Sequence, residues 1–454
     1  MKKNLFIISL FAACMISFVA CNKKDDVKVD NMTPQTETPK EILTADDQKS
    51  YLEKVATEFM GYFNTADQKD AAEKVDALIY KFEEYNWETF EDVYETRIET
   101  ERAKIRPYLA MVSKLAQAQP DESYIYSASQ FTGVFRANDK TRTWEYVKDS
   151  KNSLELIFND LDGNSCNAVV SFSGKETQVS WLNTYHDYSY NEQTGSYDIE
   201  ETYTYESGIK VPSKATFSFK VGSNEIASFT LENEINTEKE VNIDLSVKIA
   251  NLAFVIQERT SLTKANYAAS MKYGDKTLLT ITAKADDYNV IGFESSSDIE
   301  EWAEGYEEKY DDLFRSSKGG ATAEINVLGA VQIVGNLKSI ATAYSAYMNF
   351  SQRENVDERD FVKWFNQYVP IQVYYGTNEV QANVILATVP YETSYGDTRY
   401  DVDVALYFPK DKTTYDIEDY FTERSFGRVI DMAEALVNRY LSLLKYNEVE
   451  PIEF

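Results

Sequence analysis

Ala215-Thr216-Phe217-Ser218-Phe219-Lys220, then Gly222-Ser223-Asn224-Glu225, then Ile226-Ala227-Ser228-Phe229-Thr230-Leu231 is the stretch that decides the fold class. Apolar and polar residues alternate on both sides of a short glycine turn. That is the period of strands whose successive side chains leave opposite faces. A glycine-led polar turn between two such runs predicts a hairpin. Working outward, strand signals recur at Leu154 to Phe158, Ala168 to Phe172, Gln178 to Leu182 and Tyr197 to Tyr205, then at Val241 to Ile249 and Leu278 to Ala283. Short turns such as Asp162-Gly163-Asn164 and Gly274-Asp275-Lys276 make sequential neighbours antiparallel. From Tyr124 onward the chain therefore predicts a meander of eight or more strands, and a sheet of that width twists and curls. Gly376-Thr377-Asn378-Glu379-Val380 echoes the Gly222 turn, as hairpin chemistry alone requires.

Before the meander the period is 3.6. Thr44-Ala45-Asp46-Asp47 predicts a helix start, with Tyr51, Leu52, Val55, Phe59 and Phe63 on one stripe. Thr65-Ala66-Asp67-Gln68 repeats the device for Val75, Leu78, Ile79, Phe82 and Tyr85, and further helical segments run through Ile98 and Ile105 to Leu115, with a break at Pro107. After the meander, Ser297-Asp298-Ile299-Glu300 opens another helix, to about Phe314. Ala323 to Val334 then reads as one strand interrupted by Gly329. Two helices follow, the second around Phe361 to Phe365. Strands at Ile371 to Tyr375, Val380 to Val389 and Tyr400 to Phe408 lead to a closing helix from about Ile417 to Lys445. The fold class is α+β: a large curved antiparallel β-meander packed by helices, with an α+β C-terminal portion. The segments are a leader at 1–20, a tether at 21–41, an N-terminal helical layer at 42–118, the sheet region at 119–295 and the α+β region at 296–454.

Composition bounds function. The 454 residues are 43% hydrophobic and 14% aromatic, enough to bury a substantial core. Removing Lys2 and Lys3 with the leader takes the formal charge from −29 to −31. Such a chain repels nucleic acid and anionic head groups, leaving neutral glycans, basic proteins and divalent cations as partners. Cys14 leaves with the leader and Cys21 is the candidate lipidation site, so Cys166 stands alone and no internal disulfide forms.

Ahead of Cys21, Met1-Lys2-Lys3-Asn4 is a short positive head followed by an apolar run from Leu5 to Ala20, the layout of a secretory leader. Phe18-Val19-Ala20-Cys21 resembles a bacterial lipobox, with Phe18 where Leu is usual. Lys23-Lys24-Asp25-Asp26 resembles the surface-export signal that Bacteroidota lipoproteins carry after the acylated cysteine. The resemblance covers about thirty residues. It implies acylation, palmitate included, at Cys21. It also implies an outer-membrane, lipid-anchored, surface-exposed protein whose membrane partner is lipid. Residues 22 to 41 hold Pro34 and Pro39 and no aromatic residue, a linker composition that spans roughly 25 Å when flexible.

Candidate chemistry is sparse. Cys166 and His186 lie one hairpin apart, as a thiolate with an imidazole base would require. No Gly-x-Ser-x-Gly elbow occurs, His186 is the only histidine, and a zinc site lacks ligands. Asn159-Asp160-Leu161-Asp162-Gly163 starts like a calcium loop, but aligning its glycine places Phe158 and Val169 at ligand positions. No catalytic residue, metal or cofactor is assigned. The best ligand-binding candidates are aromatic: Tyr197, Tyr203 and Tyr205 on one face of a strand, with Trp181 and Tyr185 on a face of the preceding one. The expected function is a non-enzymatic binding or structural module with a glycan or protein partner. The alternatives are a lipid carrier, which the curled sheet resembles in architecture alone, and a glycan-acting hydrolase using two carboxylates.

Overall fold

In a computed structural model, residues 39–85, 132–160, 162–178, 181–191, 196–206, 210–236, 240–261, 263–286, 314–351, 357–392, 398–422 and 426–434 are described. The leader, most of the tether, the segments through Ile98, Pro107 and Leu115, nearly all of the 298–314 helix and the chain from 435 lie outside them.

Two helices open the described chain, α1 (Ala45–Gly61) and α2 (Ala66–Glu84). As the sequence predicts, Thr44 caps α1: its hydroxyl accepts from the Asp47 amide at 3.2 Å. Twelve strands follow: β1 (Gly133–Asn138), β2 (Thr143–Lys148), β3 (Ser153–Asn159), β4 (Ser165–Gln178), β5 (Trp181–Asn191), β6 (Ser196–Glu206), β7 (Lys210–Val221), β8 (Asn224–Asn236), β9 (Glu240–Ile249), β10 (Leu252–Ser261), β11 (Lys264–Tyr273) and β12 (Lys276–Asp286). Then come β13 (Ala321–Val327), β14 (Val331–Leu337), helices α3 (Ile340–Ser351) and α4 (Glu358–Tyr368), β15 (Ile371–Tyr374), β16 (Val380–Glu392), β17 (Thr398–Phe408), β18 (Thr413–Asp416) and the short helix α5 (Ile417–Tyr420). Residues 426–434 are helical.

Sixteen strands form one sheet in the order β18-β17-β16-β15-β14-β13-β12-β11-β10-β9-β8-β7-β4-β3-β1-β2. The meander reading holds, with two topological corrections. β1 pairs in parallel with β3 while its hairpin partner β2 lies on its other side. Among the described residues, β5 and β6 leave the sheet and pair only with each other, and β4 is hydrogen-bonded to β7. Where β4 nears that departure, its register against β7 shifts between Ser173 and Glu176. Gly174 sits there at φ +85°, a left-handed conformation that favours glycine.

Three local readings also change. Gln178 to Leu182, read as one strand, spans the end of β4 and the start of β5. Ala323 to Val334 is two strands, because Leu328 (φ 57°) and Gly329 (φ 70°) turn the chain between β13 and β14. The closing helix breaks: α5 ends at Tyr420, Phe421 and Thr422 are not helical, and residues 426–434 are.

The chain divides into two compact units. The first comprises residues 1–76, 248–290 and 311–454. Its core gathers Tyr51 and Val55 of α1 with Val331, Val373, Ala382, Leu406, Phe408, Tyr375 and Tyr420. The sheet face beneath is apolar in register: Ile256, Ala269, Ile281, Ile325, Ile333 and Val373 are successive cross-strand partners from β10 to β15. The second unit comprises 77–247 and 291–310. Its core holds a run of rings, Tyr85 to Trp144 at 6.0 Å, Trp144 to Phe158 at 6.2 Å and Phe158 stacked on Phe219 at 6.0 Å. Trp144 and Phe219 are fully buried.

Candidate functional site

In the first unit the strongest polar construction clasps the chain where it enters the fold. Gln381 sits in a β-bulge: Val373 opposes Ala382 while Tyr374 opposes Val380, so the extra residue aims its side chain out of alternation. Its Oε1 accepts from the Leu43 amide at 2.9 Å and its Nε2 donates to the Glu41 carbonyl at 3.3 Å, so one side-chain amide pairs with entering backbone as a strand would. Gln48 of α1 closes the arrangement. Its Nε2 donates to the carbonyls of Gln381 (2.8 Å) and Leu43 (3.2 Å), and its Oε1 accepts from the Tyr375 hydroxyl at 2.8 Å. Both glutamines are fully buried. The Asp411 carboxylate accepts from the Ala45 amide at 2.6 Å, and the Tyr420 hydroxyl donates to the Ala45 carbonyl at 2.9 Å.

Three titratable clusters seat α1 and α2. Lys276 contacts Glu58 and the Tyr62 hydroxyl, both at 2.6 Å. Burial presses its ammonium down, but those two partners outweigh it and raise its pKa. Asp67 accepts from the Tyr273 hydroxyl at 2.8 Å and from Asn251 at 2.9 Å. Burial pushes its carboxyl up, yet hydrogen bonds from Thr65, Tyr273, Asn251 and its own backbone amide hold it below the ordinary range. In the second unit, buried Lys81 pairs with Asp139 in the β1–β2 turn and with Tyr85 at 2.8 Å. Against the burial of each, that pairing raises Lys81 and lowers Asp139.

These depressed carboxyls set a pH dependence. A carboxyl whose folded pKa lies below its unfolded value contributes stability above the unfolded value, and that contribution is lost as pH falls through the folded value. Wild-type thermal stability should therefore decline below about pH 4. Asp67→Asn should flatten the decline, read by thermal unfolding across an acid series; an unaltered acid limb would remove Asp67 from its causes.

The helical pair of the first unit presents rings. Trp364 donates to the Ala343 carbonyl at 2.7 Å and lies 5.4 Å from Tyr347 and 5.7 Å from Phe361. Leu386 of β16 lies beyond the reach of short β15, whose ladder ends at Ile371 opposite Val384. The Asn366 side chain takes the missing strand's place, accepting from the Leu386 amide at 2.9 Å and donating to its carbonyl at 2.8 Å.

The sequence-predicted aromatic residues all lie on the β5–β6 ribbon. Tyr197, Tyr203 and Tyr205 oppose Tyr190, Thr184 and Leu182, while Trp181 and Tyr185 oppose Glu206 and Thr202. Directly opposed residues of an antiparallel pair share a face, so the ladder puts the three tyrosines on one face with Tyr188 and Tyr190, and Trp181 and Tyr185 on the other. Sequence reading missed Tyr188 and Tyr190, because cross-strand pairing depends on a turn register that single-strand alternation does not reveal.

Cys166 and His186 are separated by topology. Cys166 lies in the large sheet between β3 and β7, buried, its thiol donating to the Asn164 carbonyl at 3.5 Å. His186 belongs to the ribbon, opposite Glu201. The turn that resembles a calcium loop uses Asp160 locally, its carboxylate accepting from the backbone amides of Asp162 and Asn164 and from the Asn164 side chain. Among the described residues no group of three or more His, Cys, Asp or Glu is placed to hold a metal, and no helix is long and apolar enough to cross a membrane. No family model, curated protein or solved structure matches the chain.

Proposed function

We propose that this chain is a lipid-anchored outer-membrane protein, surface-exposed, acting as a non-enzymatic binding or structural module. One observation carries the reading: the direction in which its titratable groups are shifted. Twelve described groups are displaced from their ordinary pKa away from neutrality. Lys81, Lys276 and Arg359 are raised, Asp67, Asp139 and Asp357 lowered, and the phenols of Tyr51, Tyr85, Tyr267, Tyr273, Tyr375 and Tyr420 raised. General acid–base work at neutral pH needs the opposite, carboxyls pushed up and lysines pushed down. Lys276, Asp67, Lys81 and Asp139 instead hold helices and turns in place through the ion pairs and hydrogen bonds described above. The anchor rests on the lipobox-like Cys21, and the clasp on residues 41–48 gives the tether a fixed point of departure.

Two measurements test the reading. Cys21→Ser should abolish palmitate labelling and move the protein from the membrane to the soluble fraction; retention in the membrane would defeat the anchor. Native mass spectrometry of the mature chain should give the apo mass. A co-purifying lipid would replace the reading with the carrier, and release of reducing ends from envelope glycans would replace it with the hydrolase.

A further inference from the structure

β17 outruns its outer neighbour. β16 pairs with it from Thr398 to Tyr407, whereas β18 pairs only with Ala405 to Phe408 before the chain turns into α5. Thr398 to Val404 is therefore a sheet edge that no strand covers among the described residues. Asn366 holds both the amide and the carbonyl of Leu386 on the β15 side of β16. Leu386 thus spends neither group on Val404, its opposite residue, and Val404 turns its own N–H and C=O to the outer edge. By alternation Val402, Tyr400 and Thr398 do the same, and these groups bond to no described residue. The matching edge of β16 is closed, by Asn366 at Leu386 and by Pro390, which lacks an N–H. An edge left open is a template for a further strand. We infer that Thr398 to Val404 receives an extended segment of a partner protein as an added antiparallel strand, one that alternates lysine or arginine with apolar residues. The inference rests on the binding-module reading and names its site and partner class.

The edge itself selects this occupant. Tyr400, Val402 and Val404 share the face on which Arg359 of α4 lies 4.2 Å from the Tyr400 ring centre. Arg399, Asp401 and Asp403 share the other face, with Val389 and Tyr391 beside them in β16 at 45% and 42% exposure, so this end of the hairpin stands in solvent. Among the described residues the side chains of Arg399, Asp401 and Asp403 have no hydrogen-bond or ion-pair partner. In an added strand, the residues opposite the two acids gain from being basic and the one opposite Arg399 from being acidic. Those between them meet Val402 and Tyr400 and gain from being apolar. A second copy of the chain is a poor occupant, because each copy carries a formal charge of −29. The chain's own last residues fit no better, since Glu448 to Phe454 hold three acids, a proline and no base.

The test uses the whole mature chain and the end-blocked peptide Thr-Lys-Val-Lys-Val-Glu-Thr, whose residues oppose Val404 to Thr398 in turn. The controls are an acidic peptide, Thr-Glu-Val-Glu-Val-Glu-Thr, and the first peptide with proline for both valines. In the free chain the amides of Tyr400, Val402 and Val404 should exchange readily. At about 1 mM of the first peptide they should slow about threefold or more, while the amides of Asp401 and Asp403, already turned to β16, should not change. Neither control should have this effect on wild type. The variant carrying Asp401→Lys and Asp403→Lys should bind the first peptide about tenfold or more weakly and should gain the acidic one. If that variant does not fold, Asp401→Lys alone, at an exposed position, carries the same comparison. Equal binding of the proline peptide would mean contact without strand addition. Equal binding of the acidic peptide by wild type, or undiminished binding of the first peptide by the variant, would show that the acids select nothing. Each result overturns the inference. Protection of the Tyr400, Val402 and Val404 amides without peptide would overturn it as well: growing with protein concentration it would assign the edge to a second copy, and constant it would assign the edge to the chain itself. Absence of peptide binding overturns the inference and leaves the binding-module reading standing, whereas a co-purifying lipid or release of reducing ends from glycans defeats that reading itself.

Discussion

Tyr420→Ala should lower stability by about 4 kcal/mol, within the range for removing a buried aromatic side chain. Tyr420 is fully buried although it lies in a helix of only four residues, so neighbours, not helix length, hold it there. It stacks on Phe408 at 4.9 Å and meets Phe421 at 5.0 Å and Tyr415 at 5.8 Å. Lys49 covers its ring, and its hydroxyl reaches the first residue of α1. Alanine would leave a cavity under α1 and strip the Ala45 carbonyl of that partner. Tyr420→Phe should cost only about 1 kcal/mol, because the packing survives and one hydrogen bond is lost.

The phenol adds a second signature. Burial foremost, then the negative charges of Asp46, Tyr415 and Asp411, raise its pKa far above the ordinary value. A phenol raised in the folded state contributes stability below its unfolded pKa and loses it as pH rises through the folded value. Wild type should therefore weaken above about pH 10, and Tyr420→Phe should weaken less steeply. Urea midpoints at neutral and alkaline pH measure both effects. A Tyr420→Ala midpoint within experimental scatter of wild type would show that α5 does not fasten the first unit.

The hairpin at Ala215 to Leu231 was legible because its signal is local: alternation on each side of a glycine turn dictates β7 and β8 directly. The Thr44 cap was legible for the same reason, since the capping atom and its amide are three residues apart. What stayed hidden depends on partners distant in the chain. The departure of β5 and β6 follows from β4 choosing β7, and no residue in Trp181 to Glu206 announces that choice. The parallel placement of β3 beside β1 is likewise a matter of long-range pairing. β10 and β11 went unread although they form a regular hairpin, because Leu252 to Ile256 of β10 are apolar without alternation and Ala265, Ala268, Ala269 and Ser270 dilute the alternation of β11. Of the aromatic candidates, the sequence located the ribbon, and only the register sorted its two faces.

The clasp illustrates that long-range limit most sharply, because two glutamines 333 positions apart act through one short stretch of backbone. Gln48 lies on the apolar stripe of α1, one turn before Tyr51 and Leu52, and Gln381 would alternate outward without the bulge. Gln48→Leu should cost about 3 kcal/mol. It keeps the volume but leaves the buried Tyr375 hydroxyl and the Gln381 carbonyl without those partners, and burying unsatisfied polar groups is what makes such changes expensive. Gln381→Leu should cost less, about 1.5 kcal/mol, because the Leu43 amide and Glu41 carbonyl it abandons lie nearer solvent. The two side chains hold the same residue from opposite ends, Gln381 at the Leu43 amide and Gln48 at its carbonyl. Once either is gone, residues 41–43 loosen and the other has less to hold, so the double variant should fall short of the summed single costs by about 1 kcal/mol. Hydrogen exchange at the Leu43 amide separates clasp from core: it should accelerate in Gln381→Leu while the amides of β17 keep their protection. Strict additivity in the cycle, with Leu43 exchange unchanged, would mean that the two amides are independent fillers and that the tether is held by Asp411 and Tyr420 alone.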